Sequence, residues 1–386
     1  MSVYYITINV ALEEKAIFSK NLSPGNIYYS YDYIPGSVLW GTFATRFPKS
    51  NIQKFYETFF QEKVIFTNLY PTISSDIVAL PLPLSTFACK YKPGWTKKSV
   101  ISEKHRFYDC LLDVSKIEDR CQYCESKKKN FINGFYYKKG DNYYSCNAKK
   151  TIDMHNHIDD ESQSAKLNDG LYSYEVLTEG QKFTGYILLR GEWDEFKEIH
   201  KLITSIKEKK TSMGKGRNNG YGLSTIDFIN YGESYKLDNK RLYLNDDKLD
   251  LSENRHKFTL TFISDSFLLD KYGNYFTYID EIILCDILNL NYDFNSNFNP
   301  EEFRLIRSFC RVKEIDGYNI KHKLPKSKMI GLQKGSSFYF EYTGSDYKTL
   351  TERLLEIERN GVGERKVEGY GRAIVNLPYH RENIER

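Results

Sequence analysis

The chain has 386 residues, longer than one typical small domain, so two domains or one domain with a large insertion are expected. Hydrophobic residues are 40% and charged residues 27%, which excludes wholesale disorder. No stretch approaches the roughly 18 apolar residues of a membrane span, and the start lacks a basic segment ahead of an apolar core, so a signal peptide is not expected.

On these readings a cytoplasmic chain with no membrane partner is expected. There its seven cysteines read as thiols or metal ligands rather than disulfides. The formal charge of +4 is unevenly spread. Residues 85–150 hold 15 Lys and Arg against 7 Asp and Glu, which points to a polyanionic partner or to a solvated Lys-rich loop.

In chain order, Val3 to Val10 alternates in character and predicts a strand. Pro35 and Gly36 punctuate, and Ser37 is the expected N-cap of a helix toward Phe47. Asn51 to Gln61 predicts a second helix, with short strands at Lys63 to Leu69 and Val78 to Leu84. From Ser85 to about Gly180 regularity fades, and five of the seven cysteines fall here, so this stretch reads as an irregular insertion. Lys182 to Leu189 predicts a strand, and Trp193 to Lys209 a helix from its apolar spacing. A glycine-rich loop and a strand, Leu223 to Ile229, complete a βαββαβ order of ferredoxin-like type.

Residues 231–255 are polar and read as a linker between a domain at 1–230 and one at 256–386. In the second, Lys257 to Ile263, Phe303 to Val312 and Ser336 to Tyr342 predict strands. A short helix falls in the 280s and a longer one over Asp346 to Arg359, followed by a glycine-rich loop and a strand, Arg372 to Leu377. The fold class expected is α+β, with two ferredoxin-like (RRM-like) domains that each end in a glycine-rich loop.

The loops are Gly214-Lys215-Gly216-Arg217-Asn-Asn-Gly220-Tyr221-Gly222 and Gly361-Val-Gly363-Glu-Arg365-Lys366-Val-Glu-Gly369-Tyr370-Gly371. Each opens with G-x-G and closes with G-Y-G. Glycine permits positive φ, and successive N–H groups in such turns form anion-binding nests. A dinucleotide fingerprint runs from strand to helix, whereas each loop here runs from helix to strand. Neither loop ends in the G-K-[ST] of a Walker sequence. Lys215, Arg217, Arg365, Lys366 and Arg372 offer phosphate contacts instead. A helix C-cap with a tight turn is the plainer reading of either loop alone.

With these segments in order, the sequence resembles the RAMP superfamily of CRISPR-associated proteins. More narrowly, it resembles the csx-ten family, the Cas-five-like subunit of type III-D effector complexes. The likeness rests on Ile34-Pro-Gly-Ser-Val-Leu-Trp-Gly41, Leu82-Pro-Leu-Ser-Thr-Phe-Ala-Cys-Lys90, Cys121-x-x-Cys124, Leu171 to Gly180 leading into Phe183-Thr-Gly185, and both loops. It implies a non-catalytic subunit of an antiviral effector complex. Such a subunit holds the 5′ handle of the guide RNA (crRNA) and contacts the large subunit and the backbone RAMP subunits. The run around His105 departs from the family pattern, so no role passes to His105.

Cys121-Gln-Tyr-Cys124 has the spacing of a zinc knuckle. Further ligands are available in Cys89, Cys110, His105, Cys146, His155 and His157. Cys89 is the first choice because it lies in the family-like segment, and Cys146 is the second. A structural Zn²⁺ would order the insertion; ordinary reduced cysteines are the alternative. Cys285 and Cys310 read as core thiols.

His155-Asn-His157-Ile-Asp159-Asp160, with Asp153 nearby, is the best place for chemistry, as a metal-independent endoribonuclease on guide precursor or as a metal-dependent one. A polar loop touching RNA or a neighbour is preferred. RNA contact is expected at both glycine loops, with Tyr221 and Tyr370 either stacking on bases or packed in the core. Lys90, Lys92, Lys97, Lys98 and Lys127 to Lys129 extend the basic surface. A purely structural assembly subunit is a further alternative.

Overall fold

The computed structural model describes residues 2–20, 26–74, 77–90, 107–115, 120–121, 124–130, 134–140, 142–156, 170–230, 237, 241–244, 249, 251, 256–289, 298–319 and 324–382. The chain is mixed α+β, mostly strands with few helices.

The first strand, β1 (Val3–Leu12), puts Ile6, Ile8, Val10 and Leu12 on one buried face, as the two-residue period requires. A short strand β2 (Ile27–Tyr28) precedes helices α1 (Gly36–Arg46) and α2 (Ile52–Phe59). Strands β3 (Val64–Phe66), β4 (Tyr70–Ser74), β5 (Ile77–Val78) and β6 (Leu80–Pro81) follow. The expected single strand over Val78 to Leu84 is thus two short pieces, which lie in different sheets.

The stretch expected to be irregular carries strands in its described parts. These are β7 (Thr86–Cys89), β8 (Phe107–Asp109), β9 (Lys128–Asn130), β10 (Phe135–Lys139), β11 (Asn142–Ser145), β12 (Lys150–Asn156) and β13 (Leu171–Leu177). They form small sheets ordered β8-β7-β9, β11-β10-β6 and β12-β13-β2. Most of these strands are too short, and too rich in half-buried Tyr and Lys, for a period of two to stand out in sequence.

After β14 (Lys182–Arg190), residues Trp193–Phe196 make a tight 3₁₀ turn, and helix α3 spans Lys197–Ile206. Strands β15 (Lys210–Ser212) and β16 (Leu223–Phe228) flank the first glycine loop. The main sheet is ordered β15-β16-β1-β14-β4-β5, with β3 also on β14, and its pairs are antiparallel. Leu39 and Phe43 of α1 and Ile199 and Ile203 of α3 pack on this sheet in one core.

The second half carries a smaller sheet with its own helices. Its elements are β17 (Lys257–Phe262), β18 (Leu268–Leu269), β19 (Tyr275–Phe276), α4 (Glu281–Asn289), β20 (Phe303–Phe309), β21 (Val312–Asn319), β22 (Leu324–Leu332), β23 (Ser337–Tyr342), α5 (Tyr347–Asn360), β24 (Ala373–Val375) and α6 (Pro378–Glu382). The sheet order is β20-β23-β17-β24, and β21 pairs with β22 as a separate ribbon. Phe258, Leu260, Phe338, Leu350 and Leu354 share its core.

Two local expectations change. Helix α1 starts at Gly36, not after a Ser37 cap. Pro35 is its N-cap and offers no side-chain bond, and Asn68 Oδ1 accepts the Gly36 N–H at 2.9 Å instead. A Cβ on Gly36 would lie 2.1 Å from the Phe66 carbonyl oxygen and 2.6 Å from that of Glu368, so the close approach needs glycine. The expected linker is also not a free tether where it is described. Leu237, Arg241, Leu249 and Leu251 are buried, and the Arg241 guanidinium binds the Glu358 carboxylate of α5.

Candidate nucleic-acid interface

The two glycine loops are one backbone motif used twice. Met213 N–H donates to the Gly222 carbonyl, and Val362 N–H to that of Gly371. Asn219 N–H donates to Gly216 O, and Glu368 N–H to Arg365 O. Lys215 N–H reaches Ile17 O as Glu364 N–H reaches Phe267 O. The structural match therefore pairs Gly214 with Gly363, Gly216 with Arg365, Gly220 with Gly369, and Gly222 with Gly371. This shifts the sequence match by one glycine, because Gly361 instead ends helix α5 at φ 71°. Arg365 stands at φ 57° where the first loop has Gly216 at φ 73°.

Their surroundings differ. Arg217, Asn218, Asn219 and Gly220 form the exposed tip of the first loop. Arg46, at the end of α1, is close enough to Arg217 that burial and then the Arg217 charge lower its pKa. Neither arginine has an acidic partner among the described residues, so two guanidinium groups gather beside a turn flanked by left-handed glycines. Phosphate is the natural complement of such a group.

The second loop faces protein. Gly369 packs so closely on the Phe66 carbonyl oxygen that a Cβ would lie 2.6 Å from it. Lys366 Nζ pairs with Glu62 at 2.8 Å, and the Arg365 guanidinium is held by both oxygens of Glu368. Arg372 is 1% exposed, and its guanidinium donates to the carbonyls of Glu358 and Arg359. Tyr370 packs on Phe267, with ring centroids 4.9 Å apart. The expectation of RNA at Gly361, Gly363, Arg365, Lys366, Gly369, Tyr370, Gly371 and Arg372 thus meets a loop wedged between the two halves.

Beside the first loop stands an aromatic cluster. Register pairs Asp153 of β12 with Tyr174 of β13, and His155 with Tyr172, while Tyr28 of β2 adjoins Tyr174. Their shared face leans on the loop through Ile17, Tyr174, Val176 and Tyr221. His155 stacks on Tyr172 with ring centroids 5.2 Å apart and planes 15° apart. Lys215 Nζ sits 3.4 Å above the Tyr28 ring, and partial burial lowers its pKa.

Tyr221 is 6% exposed and is a hub rather than a free stacking platform. Its hydroxyl donates to Asp153 Oδ2 at 2.9 Å and lies 2.8 Å from His155 Nε2. With its one proton committed to Asp153, the phenol oxygen accepts from Nε2–H. Burial, then the Asp153 bond, push the Tyr221 pKa up. Burial would raise the Asp153 carboxyl, but bonds from Lys15, at 2.8 Å, and Tyr221 hold it below the ordinary range. His157, Asp159 and Asp160 lie outside the described residues. Sequence reasoning missed Lys15, Tyr28, Arg46, Tyr172 and Tyr174; the Tyr-x-Tyr alternation of β13 was the available signal.

Three of the four expected metal ligands meet. The Sγ atoms of Cys89, Cys121 and Cys124 all lie within 4.8 Å of one another, with Cys89 and Cys124 3.3 Å apart. Thiolates on one tetrahedral Zn²⁺ stand about 3.8 Å apart, from Zn–S bonds of about 2.3 Å. Cys124 and Glu125 both turn their N–H groups back to the Cys121 carbonyl, and Glu125 takes φ 52°, so the knuckle turn is formed. The donor set fits a thiophilic metal. Cys146 does not join it. It packs against the first core, and burial pushes its thiol up to about 11. Lys90, Lys127 and Lys129 are exposed around this sheet, and Lys128 Nζ lies 3.9 Å over Tyr108. Lys92, Lys97, Lys98 and His105 lie outside the described residues. Cys285 is buried, as expected of a core thiol, and Cys310 is half-buried.

No family model matches this chain, and no curated protein matches it. Among solved structures, it is similar to a chain of the type III-B Cmr-beta complex bound to cognate target RNA and AMPPnP. That likeness has 11% identity, covers 98% of this chain and 93% of that one, and has a TM-score of 0.44. A second Cmr-beta structure bound to cognate target RNA gives 10% identity, 86% coverage of both chains and a TM-score of 0.44. A Cas6 product complex gives 10% identity, covers 97% of this chain and all of that one, and has a TM-score of 0.41. Among the described residues, no helix is long and apolar enough to cross a membrane.

Proposed function

We propose that this chain is a non-catalytic, guide-RNA-binding subunit of a type III CRISPR effector complex, of the csx-ten kind, built on two ferredoxin-like domains. The sequence resemblance supports the class. The strand orders β16-β1-β14-β4 and β24-β17-β23-β20, each with two helical crossings, support the domain type. The observation that carries RNA binding is the exposed first loop, with Arg217 at its tip and Arg46 of α1 near it, neither ion-paired among the described residues, and with the Tyr28–Tyr172–His155 cluster beside it. Phosphate contacts position a single strand, and aromatic faces hold its bases. A structural Zn²⁺ on Cys89, Cys121 and Cys124 would pin β7 to the segment before β9. Neighbouring effector subunits are the remaining partners.

The test is binding of labelled single-stranded repeat RNA across a salt series. Affinity is expected to fall steeply with salt, and Arg217→Glu with Arg46→Glu to weaken it about tenfold or more. Unchanged affinity rejects the assignment.

The bonded chain His155–Tyr221–Asp153 favours one second reading, a metal-independent endoribonuclease. With Nε2–H given to Tyr221, His155 Nδ1 is the free lone pair that would take a 2′-hydroxyl proton. In that case His155→Ala abolishes cleavage of the same RNA in EDTA while leaving binding intact. Uncut RNA with the native protein leaves the non-catalytic reading.

A further inference from the structure

The second sheet has a polar face. Lys257, Thr259 and Thr261 of β17 alternate away from the core, as do Ser337, Tyr339 and Glu341 of β23. Helix α6 crosses one end of this face. A small open cavity of about 50 Å³ lies there, lined by Lys257, Thr259, Tyr339, Asn376, His380 and Arg381 among others.

Among the described residues, two polar atoms in its lining have no hydrogen-bond partner, Thr259 Oγ1 and Asn376 Nδ2. Thr259 is only 4% exposed. The Asn376 amide cannot be turned round to hide its donor. Its Oδ1 accepts the Thr259 N–H at 2.9 Å, while the Asn376 backbone N–H donates to the Thr259 carbonyl at 2.9 Å. An orphaned buried donor is costly, so a ligand that accepts from it is favoured. His380 does not compete for that ligand. Its two ring nitrogens are taken by Thr261 and Asp109 at 2.7 and 3.0 Å.

The remaining lining is donor-rich. Lys257 contributes an ammonium, with Glu341 3.6 Å away and itself shared with Arg304. Arg381 contributes an exposed guanidinium. No carboxylate is among the described lining residues. An amide N–H₂, a hydroxyl and two cations converging without an acidic group suit a tetrahedral oxyanion.

We infer that this cavity is a phosphate-binding site, separate from the first glycine loop, in which Thr259, Asn376, Lys257 and Arg381 hold the anion. The phosphate comes from the end of an RNA strand, from its backbone, or from a free small molecule.

The test uses the whole chain and three probes: inorganic phosphate, and one single-stranded RNA made with a 5′-phosphate or a 5′-hydroxyl. Each is titrated by calorimetry, and the RNAs also against Arg217→Glu protein, which removes the first loop's share. The variants are Thr259→Val, Asn376→Asp and Arg381→Glu. Asn376→Asp keeps the acceptor for Thr259 N–H and replaces the donor with a negative charge. Each variant is expected to weaken phosphate binding about tenfold. Thr259→Val, which deletes only an orphan hydroxyl, leaves thermal stability unchanged or raised. Preference for the 5′-phosphate strand identifies a strand end. Equal RNA binding that the variants weaken identifies the backbone, and binding of inorganic phosphate alone a free small anion. Absence of saturable binding by all three probes, or variants that bind like the native chain, overturns the inference.

Discussion

Arg372 and Arg217 both belong to G-Y-G loop regions, and burial separates their work. Arg372 satisfies carbonyls at the C-terminal end of α5, where a cation also meets the negative end of the helix dipole. Arg372→Ala leaves those buried acceptors unpaired and should cost about 2–3 kcal/mol in denaturant unfolding. Arg217→Ala should cost almost none, since the side chain is exposed and without an acidic partner. Equal losses for the two would contradict the assignment. In sequence both are arginines near glycines, and only packing distinguishes them. The same holds for Tyr221, legible as a loop tyrosine but not as the hub joining His155 to Asp153.

At the scale of elements, the repeat of helix, glycine loop and strand was legible because glycine at positive φ leaves a mark that other residues cannot supply. The frame of the match was not. Arg365 occupies a left-handed position that sequence assigns to glycine, and the helix-ending Gly361 stands in as a false first member. The β8-β7-β9 sheet was illegible for another reason. Its strands have three or four residues each, too few for independent stability, and the cysteines that would brace them are far apart in sequence. Zinc on Cys89, Cys121 and Cys124 predicts about one metal per chain by elemental analysis. Cys121→Ser should lower that content and cost hydrogen-exchange protection over 86–89, 107–109 and 128–130 first. Full protection after metal removal would exclude a structural role.

At the scale of the whole molecule, the second loop, the Lys366–Glu62 pair and the Lys334–Asp32 pair join the two halves. Lys334 Nζ lies 3.2 Å from Asp32 and 4.2 Å from the centre of the Tyr33 ring. Burial would raise the Asp32 carboxyl, but Lys334, Lys20 and Lys150 outweigh it and hold it at about 2. A carboxyl depressed on folding adds stability above its unfolded value, near 4, and loses it as pH falls through the folded value. Asp32 should therefore contribute about 2 kcal/mol at neutral pH that fades between about pH 4 and 2. Asp32→Asn should remove that part of the acid dependence; an unchanged acid profile would show that the pair contributes nothing. A further buried network, in which Ser85 and His380 both bind Asp109, ties the insertion to α6. None of these contacts could be read from sequence, because their partners are 24 to 304 residues apart in the chain and meet only through tertiary packing.

The central claim is that the first glycine loop, not the second, meets RNA. The direct measurement is the affinity of single-stranded repeat RNA for the whole chain against salt, with Arg217→Glu and Arg46→Glu compared with Lys366→Ala at the second loop. A steep salt dependence that flattens in the first-loop variants and persists in Lys366→Ala is the predicted result. Loss of RNA binding in Lys366→Ala while the native melting temperature is retained, with the first-loop variants binding normally, would contradict it.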